Sequence, residues 1–477
     1  MGAGGRDVLL TGREAMDAIE NIVRESSLPP PGKKLITQAT QTKLTQLQQK
    51  LDDLINREIL PIDPSFSLTQ HTEPMSFVQI QSLIDKKTAI LEWYLGDEIF
   101  QVFIITRQSE YPIVWQSSAE NGSGLSEWVN QYFQDYQKNK EHWREALSLQ
   151  LQKLSQILDI DEILNYLPAT CDRLILIPHR FLHCIPLHAL PLADGSCLLD
   201  RFPGGVRYAS SCRLLQLVQT RQRPEFSHFF AIQNPNDNLA WTDIEVEAIK
   251  QFFPYADILA KAAATKDALS NKPLSLYHCL HFSSGSYFNT SPPLLSALIL
   301  ADAPMPNAPT NSDPIQDLPL GANRVIDLSK CLTVEEIFKL DLSQCRLVTL
   351  SASETALTDW TNSSDEYIGF PSAFLFAGSA SVVGSLWAIN DLSTALLMIK
   401  FYQNIQIGLA VAVALNQAQL WLRDITKIEL EQLINANQLP LNPAVRMNLR
   451  RRFYKLPDDA QPFREPFHWA AFCAIGQ

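Results

Sequence analysis

Ser353 stands just beyond an apolar strand, where a nucleophile would be presented. In LVTLSASETAL, Leu347, Val348 and Leu350 read as a buried strand, and Ser351-Ala352-Ser353 as the small-residue turn that ends it. In an open α/β sheet, chemistry collects just past the carboxyl ends of strands. A serine hydroxyl attacks a carbonyl only when a neighbouring base takes its proton, so the reading turns on histidine. His179, His183 and His188 cluster in PHRFLHCIPLHALP. A zinc site is the sharp reading of that cluster. His179 and His183 would share a face only on a helix, Pro178 and Pro186 disfavour one, and no carboxylate or thiol stands beside them at ligand spacing. A loop packed against a second unit is the better reading, and no metal or other cofactor is expected. No GxxxxGK[ST] is present, and no GxGxxG follows a strand, so a nucleotide site is not expected either.

The elements that must position these residues alternate between strand and helix. Residues 89–95 and 99–106 are two strands around Gly96-Asp97, a hairpin signal. A long helical region over 128–158 precedes the apolar strand 173–177. A second unit opens near His228, with a strand at 229–232 and a helix at 241–253, where Thr242 and Glu245 have capping-box spacing. The strand 276–282 runs into Ser283-Ser284-Gly285-Ser286, and Cys279 in it, like Cys345, reads as core. The Pro-rich stretch 304–319 is loop-like, and 334–340 is a short helix. Beyond Ser353, residues 370–380 read as a helix, 381–387 as a strand, 391–402 and 410–425 as amphipathic helices, and the aromatic tail 466–472 as a last strand. Such alternation predicts a mainly parallel sheet.

Bulk properties narrow the function classes. The chain has 477 residues, 46% of them hydrophobic and 19% charged, which is globular rather than disordered. Its net charge of −12 argues against nucleic acid or anionic membrane as partner. The basic run 446–452 reads as a solvated helix face. Eight scattered cysteines without a CxxC pair read as free thiols of a reducing, cytoplasmic setting. Residues 368–390 carry no charge, but their glycines, serines and Pro371 divide them into helix, turn and strand rather than a membrane span. Residues 1–75 read as an N-terminal helical segment and linker, with an apolar stripe at Leu44, Leu47, Leu51 and Leu54.

Taken together, PHRFLHCIPLHALP, LHFSSGSYFN, SALILAD, LVTLSASETAL, DEYIGFPSAFLFAG, SVVGSLWAINDLSTALLMIKFYQN, AQLWLRDIT and PFHWAAFCAIGQ resemble the CHAT domain, a caspase-like domain often found with TPR repeats in cyanobacteria. The likeness runs in order from about Phe77 to Gln477. It implies a caspase/separase-type three-layer α/β/α sandwich, with a pseudo-caspase half over 76–225 and a half carrying the active-site positions over 226–477. Active members are similar to caspases in using a Cys–His dyad, with the His in a string like LHFACHGYFN and the Cys in one like LSACETG. A thiolate attacks and the imidazole protonates the leaving amine. Matched on Leu280-His281-Phe282 and Tyr287-Phe288-Asn289, the His position falls on Gly285. Matched on Leu350-Ser351-Ala352 and Glu354-Thr355, the nucleophile position falls on Ser353. His281 lies four residues behind Gly285, about 13 Å back along a strand, and His278 faces the other way. Asp365 and Glu366, in the loop after Ser353, read as a solvated loop, or, as the resemblance implies, as an acidic pocket for a basic substrate side chain.

Two readings follow. In one, the chain is a catalytically degenerate pseudopeptidase, a protein-binding or regulatory module whose partner is a protein or peptide, such as an active CHAT peptidase. In the other it is an endopeptidase, either active through Ser353 with His179, His183 or His281 as an unrecognised base, or disabled by substitution at the dyad.

Overall fold

Short apolar runs bounded by turn residues become strands, because alternate side chains can then be buried on two faces. The computed structural model describes residues 74–239, 241–290, 292–305, 317–319, 325–360, 367–435, 441 and 443–477. The expected N-terminal helical segment over residues 1–73, with its leucine stripe, and the loop residues Asp365 and Glu366 lie outside the described residues.

The strands are Thr88–Leu95 (β1), Phe100–Thr106 (β2), Ile113–Gln116 (β3), Arg173–Ile177 (β4), Val206–Tyr208 (β5), His228–Gln233 (β6), Tyr255–Ala260 (β7), Cys279–Ser283 (β8), Gly285–Tyr287 (β9), Ala297–Ile299 (β10), Pro304–Met305 (β11), Asp317–Pro319 (β12), Val325–Asp327 (β13), Leu332–Thr333 (β14), Leu347–Leu350 (β15), Ser381–Ser385 (β16) and Phe472–Gly476 (β17). Among the described residues, one 11-stranded sheet runs β3-β2-β1-β4-β5-β17-β16-β15-β8-β6-β7. Its pairs β1–β4, β4–β5, β16–β15, β15–β8, β8–β6 and β6–β7 are parallel. The pairs β1–β2, β2–β3 and β16–β17 are antiparallel, and β17 meets β5 at the single bridge of Ile475 with Tyr208. The expected mainly parallel sheet is therefore present. Residues Ser76–Gln477 form one unit, and the sheet is continuous across residues 225 and 226. The first strands make the hairpin expected around Gly96-Asp97, with Leu95 opposite Phe100.

Helices cover both faces of the central strands. The relevant ones are Ala119–Lys138 (α1), Lys140–Ile157 (α2), Thr242–Ile249 (α3), Phe370–Phe376 (α4), Asp391–Gln406 (α5) and Val411–Asp424 (α6). Along β8, Phe282 packs its ring 5.5 Å from Phe374 of α4, whereas the adjacent His281 packs 5.6 Å from Tyr402 of α5. Neighbouring residues on a strand point to opposite faces, so α4 and α5 lie on opposite sides of the sheet and the order is helix, sheet, helix. Every residue of β8, β15 and β16 is buried, the pattern of strands covered on both sides.

Several boundaries differ from the sequence reading. The helical region over 128–158 is two helices, because the Asn139 side chain accepts the His142 N–H at 3.1 Å and starts α2 afresh. The helix expected over 370–380 stops at Phe376; Gly378 has φ +125°, and a Cβ there would come 2.9 Å from the Leu342 backbone, so only glycine turns the chain into β16. The helix near Thr242 begins at Thr242 itself, with Trp241 at the cap and no side-chain cap bond. The expected capping box does not form, since the Glu245 side chain turns inward. The last strand is Phe472–Gly476, not 466–472; Pro466–Trp469 is a short helix. The ends of the Pro-rich stretch, expected as loop, pair with β13 as a small sheet. The amphipathic pattern expected for α5 gives way to burial on nearly all sides.

Candidate functional site

The turn after β15 is pinned to the end of β16. The Ser385 hydroxyl donates to the Ala352 carbonyl at 2.5 Å, Ala356 N–H donates to Ser385 O at 2.7 Å, and Glu354 N–H donates to Trp387 O at 3.2 Å. Ser351 and Ala352 are buried by these contacts, and Ser353 is left part-exposed. Its hydroxyl oxygen accepts the backbone N–H of Ile389 at 3.3 Å. Its carbonyl oxygen accepts the hydroxyl of Ser286. The structure thus brings the 285–286 pair beside Ser353, although they are 67 residues apart in the chain.

Gly285 sits in β9, opposite Ile299 of β10. A Cβ at position 285 would come 3.3 Å from Ile299 Cδ1. That is the flexible tip of a side chain, and small adjustment would make room for a larger residue.

Glu354 anchors the turn to the helices α1 and α2. Its φ is +61°, a left-handed conformation that a glutamate adopts only when held. Its carboxylate accepts the Tyr136 hydroxyl of α1 and lies 2.9 Å from Lys140 Nζ of α2. The Tyr136 oxygen also accepts the Ala388 N–H at 3.1 Å. Burial, and after it the Glu354 charge, raises the Tyr136 pKa far above the usual phenol range, so Tyr136 stays a donor. Around this turn the rings of Phe133 (α1) and Trp360 stack at 4.8 Å and 5°, and Phe288, just after β9, lies 5.8 Å from Trp360. Trp360 and Phe288 are part-exposed and form an aromatic rim.

Among the described residues no histidine hydrogen-bonds to the Ser353 hydroxyl; its recorded partner is the Ile389 N–H. His281 is fully buried. Its Nδ1 is 3.1 Å from the Tyr402 hydroxyl, and its Nε2 lies 2.8 Å from Glu245 Oε1, off the line a hydrogen bond requires. The Tyr402 hydroxyl donates onward to Thr349 at 2.8 Å. His179 Nδ1 accepts the Leu95 N–H at 3.2 Å. His183 packs against Tyr367 with ring centres 4.5 Å apart and planes tilted by 38°, and burial lowers its pKa to about 3, helped by the His179 charge. His188 contacts the Tyr208 hydroxyl at 2.8 Å and Gln419 at 3.2 Å, and burial lowers its pKa to about 3 as well. The three loop histidines thus go to separate partners. His278 precedes β8 and packs at 4.8 Å from His228. Cys279 and Cys345 are core residues, as expected, and all eight thiols are free and buried.

Sequence reasoning missed Tyr136, Lys140 and Ser286. Glu354 was used only to align the string around Ser353. No local signal joins α1 and α2 to a turn more than 200 residues later.

The sequence pattern of the CHAT domain matches residues 149–477. The chain belongs to the CHAT domain family. The match begins within α2, so the CHAT pattern covers β4 to β17, a shorter span than the resemblance of the strings from about Phe77. No curated protein matches the chain in sequence. Among solved structures, separase of Saccharomyces cerevisiae in its complex with securin aligns at 11% identity and a TM-score of 0.35, covering 98% of this chain and 27% of the separase chain. The complex of Porphyromonas gingivalis RgpB pro- and mature domains aligns at 8% identity and a TM-score of 0.35, covering 67% of each chain. This CHAT chain spans about a quarter of the length of the separase chain it matches. No described helix of the CHAT chain is long and apolar enough to cross a membrane.

Proposed function

We propose that this CHAT protein is a catalytically degenerate, caspase-like pseudopeptidase that binds a protein or peptide segment in the cleft beside Ser353. The observation that carries the reading is the state of the two dyad positions. Ser353 offers a hydroxyl engaged by a backbone N–H, and Gly285 beside it carries no base. A serine without an adjacent base is a poor nucleophile. The scaffold around it is intact: the pinned turn, the Glu354 anchor and the aromatic rim of Trp360 and Phe288 leave a shaped surface with apolar grip. Asp365 and Glu366 would favour a partner segment with a basic side chain. An active CHAT peptidase is the first partner to test, and the role would then be regulatory. Eight free thiols fit a reducing, cytoplasmic setting.

The test is peptidase activity on a diverse peptide library, with the unaltered chain beside Ser353→Ala and a Ser353→Cys/Gly285→His double variant. Silence from the first two and cleavage by the double variant is the expected result, and partner binding is expected to survive Ser353→Ala. Cleavage by the unaltered chain that Ser353→Ala abolishes would sink the proposal.

A further inference from the structure

A second site lies at the far end of the central strands. Arg207 is the middle residue of β5, between β4 and β17. A guanidinium on an interior strand normally has an acidic partner, because burying an unpaired charge is costly. Arg207 is part-buried and forms no hydrogen bond or ion pair with any described residue. Burial lowers its pKa to about 10, with a contribution from Arg173 and an opposing one from Asp85.

Arg207 lines a cavity of about 520 Å³. The size falls in the range of roughly 300–1,000 Å³ typical of small-molecule sites. Its apolar wall includes Leu83, Ile84, Ala412 and Val413. Its other charged residues are Arg173 and Asp85, which pair with each other at 2.8 Å. Asp85 also accepts Thr88 Oγ1 at 2.7 Å and Lys87 N–H at 3.0 Å. Among the lining side chains, the Arg207 guanidinium is the one charged group without an ion-pair partner among the described residues. The cavity is separate from the Ser353 turn. Gln477, which lines it, donates to Ala380 O just ahead of β16, whereas Ser353 contacts Ile389 beyond the other end of that strand.

We propose that this cavity binds a small organic monoanion, a carboxylate on an apolar tail, with the Arg207 guanidinium receiving the carboxylate. A planar fork of N–H donors matches a carboxylate in two-point contact. The aliphatic wall accepts the tail, and one carboxylate offers the pair of acceptors that a single guanidinium fork takes. This assignment does not depend on the function proposed for the Ser353 cleft.

Isothermal titration calorimetry on the full chain tests it, with sodium octanoate as the probe and 1-octanol and inorganic phosphate as its two halves. Saturable one-to-one binding of octanoate is expected, with weaker binding of octanol and of phosphate. Arg207→Met keeps the stem and removes the fork, and should weaken octanoate binding about tenfold or more. Val413→Trp fills the cavity from the other wall and should abolish binding. It keeps the location testable if Arg207→Met does not fold. Absence of saturable octanoate binding, octanol or phosphate binding as tightly as octanoate, or unchanged affinity in either folded variant would each overturn the proposal.

Discussion

Two polar constellations at the ends of β8 and β15 contrast sharply. At the turn, Ser353 and Gly285 occupy the positions where the CHAT resemblance places nucleophile and base, and on this half-open surface no described histidine meets the Ser353 hydroxyl. Behind it, on α3, β8 and α5, Glu245, His281 and Tyr402 form a titratable cluster that is sealed from solvent. The cluster has the residue types of catalysis but no access to a substrate. The turn has access, but among the described residues no histidine stands beside the Ser353 hydroxyl. Accessibility and chemistry have to coincide before a site can be called catalytic, and in this chain His281 of β8 and Gly285 of β9 lie four residues apart.

The largest expected effect breaks the sealed side. His281→Leu leaves the Glu245 carboxyl buried without its neighbour and should cost about 3 kcal/mol. Replacing both, as Glu245→Leu/His281→Leu, removes the buried acid as well, so the double variant should be more stable than His281→Leu alone. Urea unfolding midpoints measure both, and a double variant no more stable than the single one would show that the pair is not coupled.

Acid acts next, through the buried loop histidines. The folded pKa of His183 is lowered to about 3, below the unfolded value near 6.5. The unfolded chain therefore binds the proton first, and stability falls as pH drops from about 6.5 towards 3. His183→Phe removes that proton uptake and should flatten the pH dependence of the urea midpoint between pH 6.5 and 4.5, by on the order of 1–3 kcal/mol across the window. An unchanged slope would mean that the ring titrates normally in the fold.

The smallest effect belongs to the open side. Tyr136→Phe removes the hydroxyl that holds Glu354 and caps Ala388 N–H, and should cost about 1–2 kcal/mol. Because the turn itself is pinned by Ser385, the same variant should loosen the Ser353 turn before the sheet. Amide hydrogen exchange at residues 353–356 would rise, while that of β15 and β16 stays slow. Uniform acceleration across all of them would place the anchor in the global fold instead.

The legible part of this protein is what local pattern encodes. Apolar runs such as LVTL and SVVGS announce strands buried on both faces, the small-residue turn puts Ser353 at a strand end, and the ordered strings carry the CHAT resemblance. Boundaries set by long-range competition were not legible. Glu245 has capping-box spacing behind Thr242, yet its carboxyl lies 2.8 Å from His281, because the helix packs that face onto β8. The aromatic tail reads as a strand from residue 466, yet Pro466–Trp469 coils into a helix beside α5 and α6, and the strand waits until Phe472 reaches β16.

By itself the sequence determined the alternation of strand and helix, the family, and which residue types stand where the CHAT resemblance places the dyad, since each is written in a few consecutive residues. Only the tertiary structure decided that Ser286 meets Ser353, that Tyr136 and Lys140 reach Glu354, that His281 is sealed, and that Arg207 lines a cavity without a partner among the described residues. Those contacts join residues tens to hundreds apart, and they follow from the order of strands in the sheet, which local periodicity does not encode.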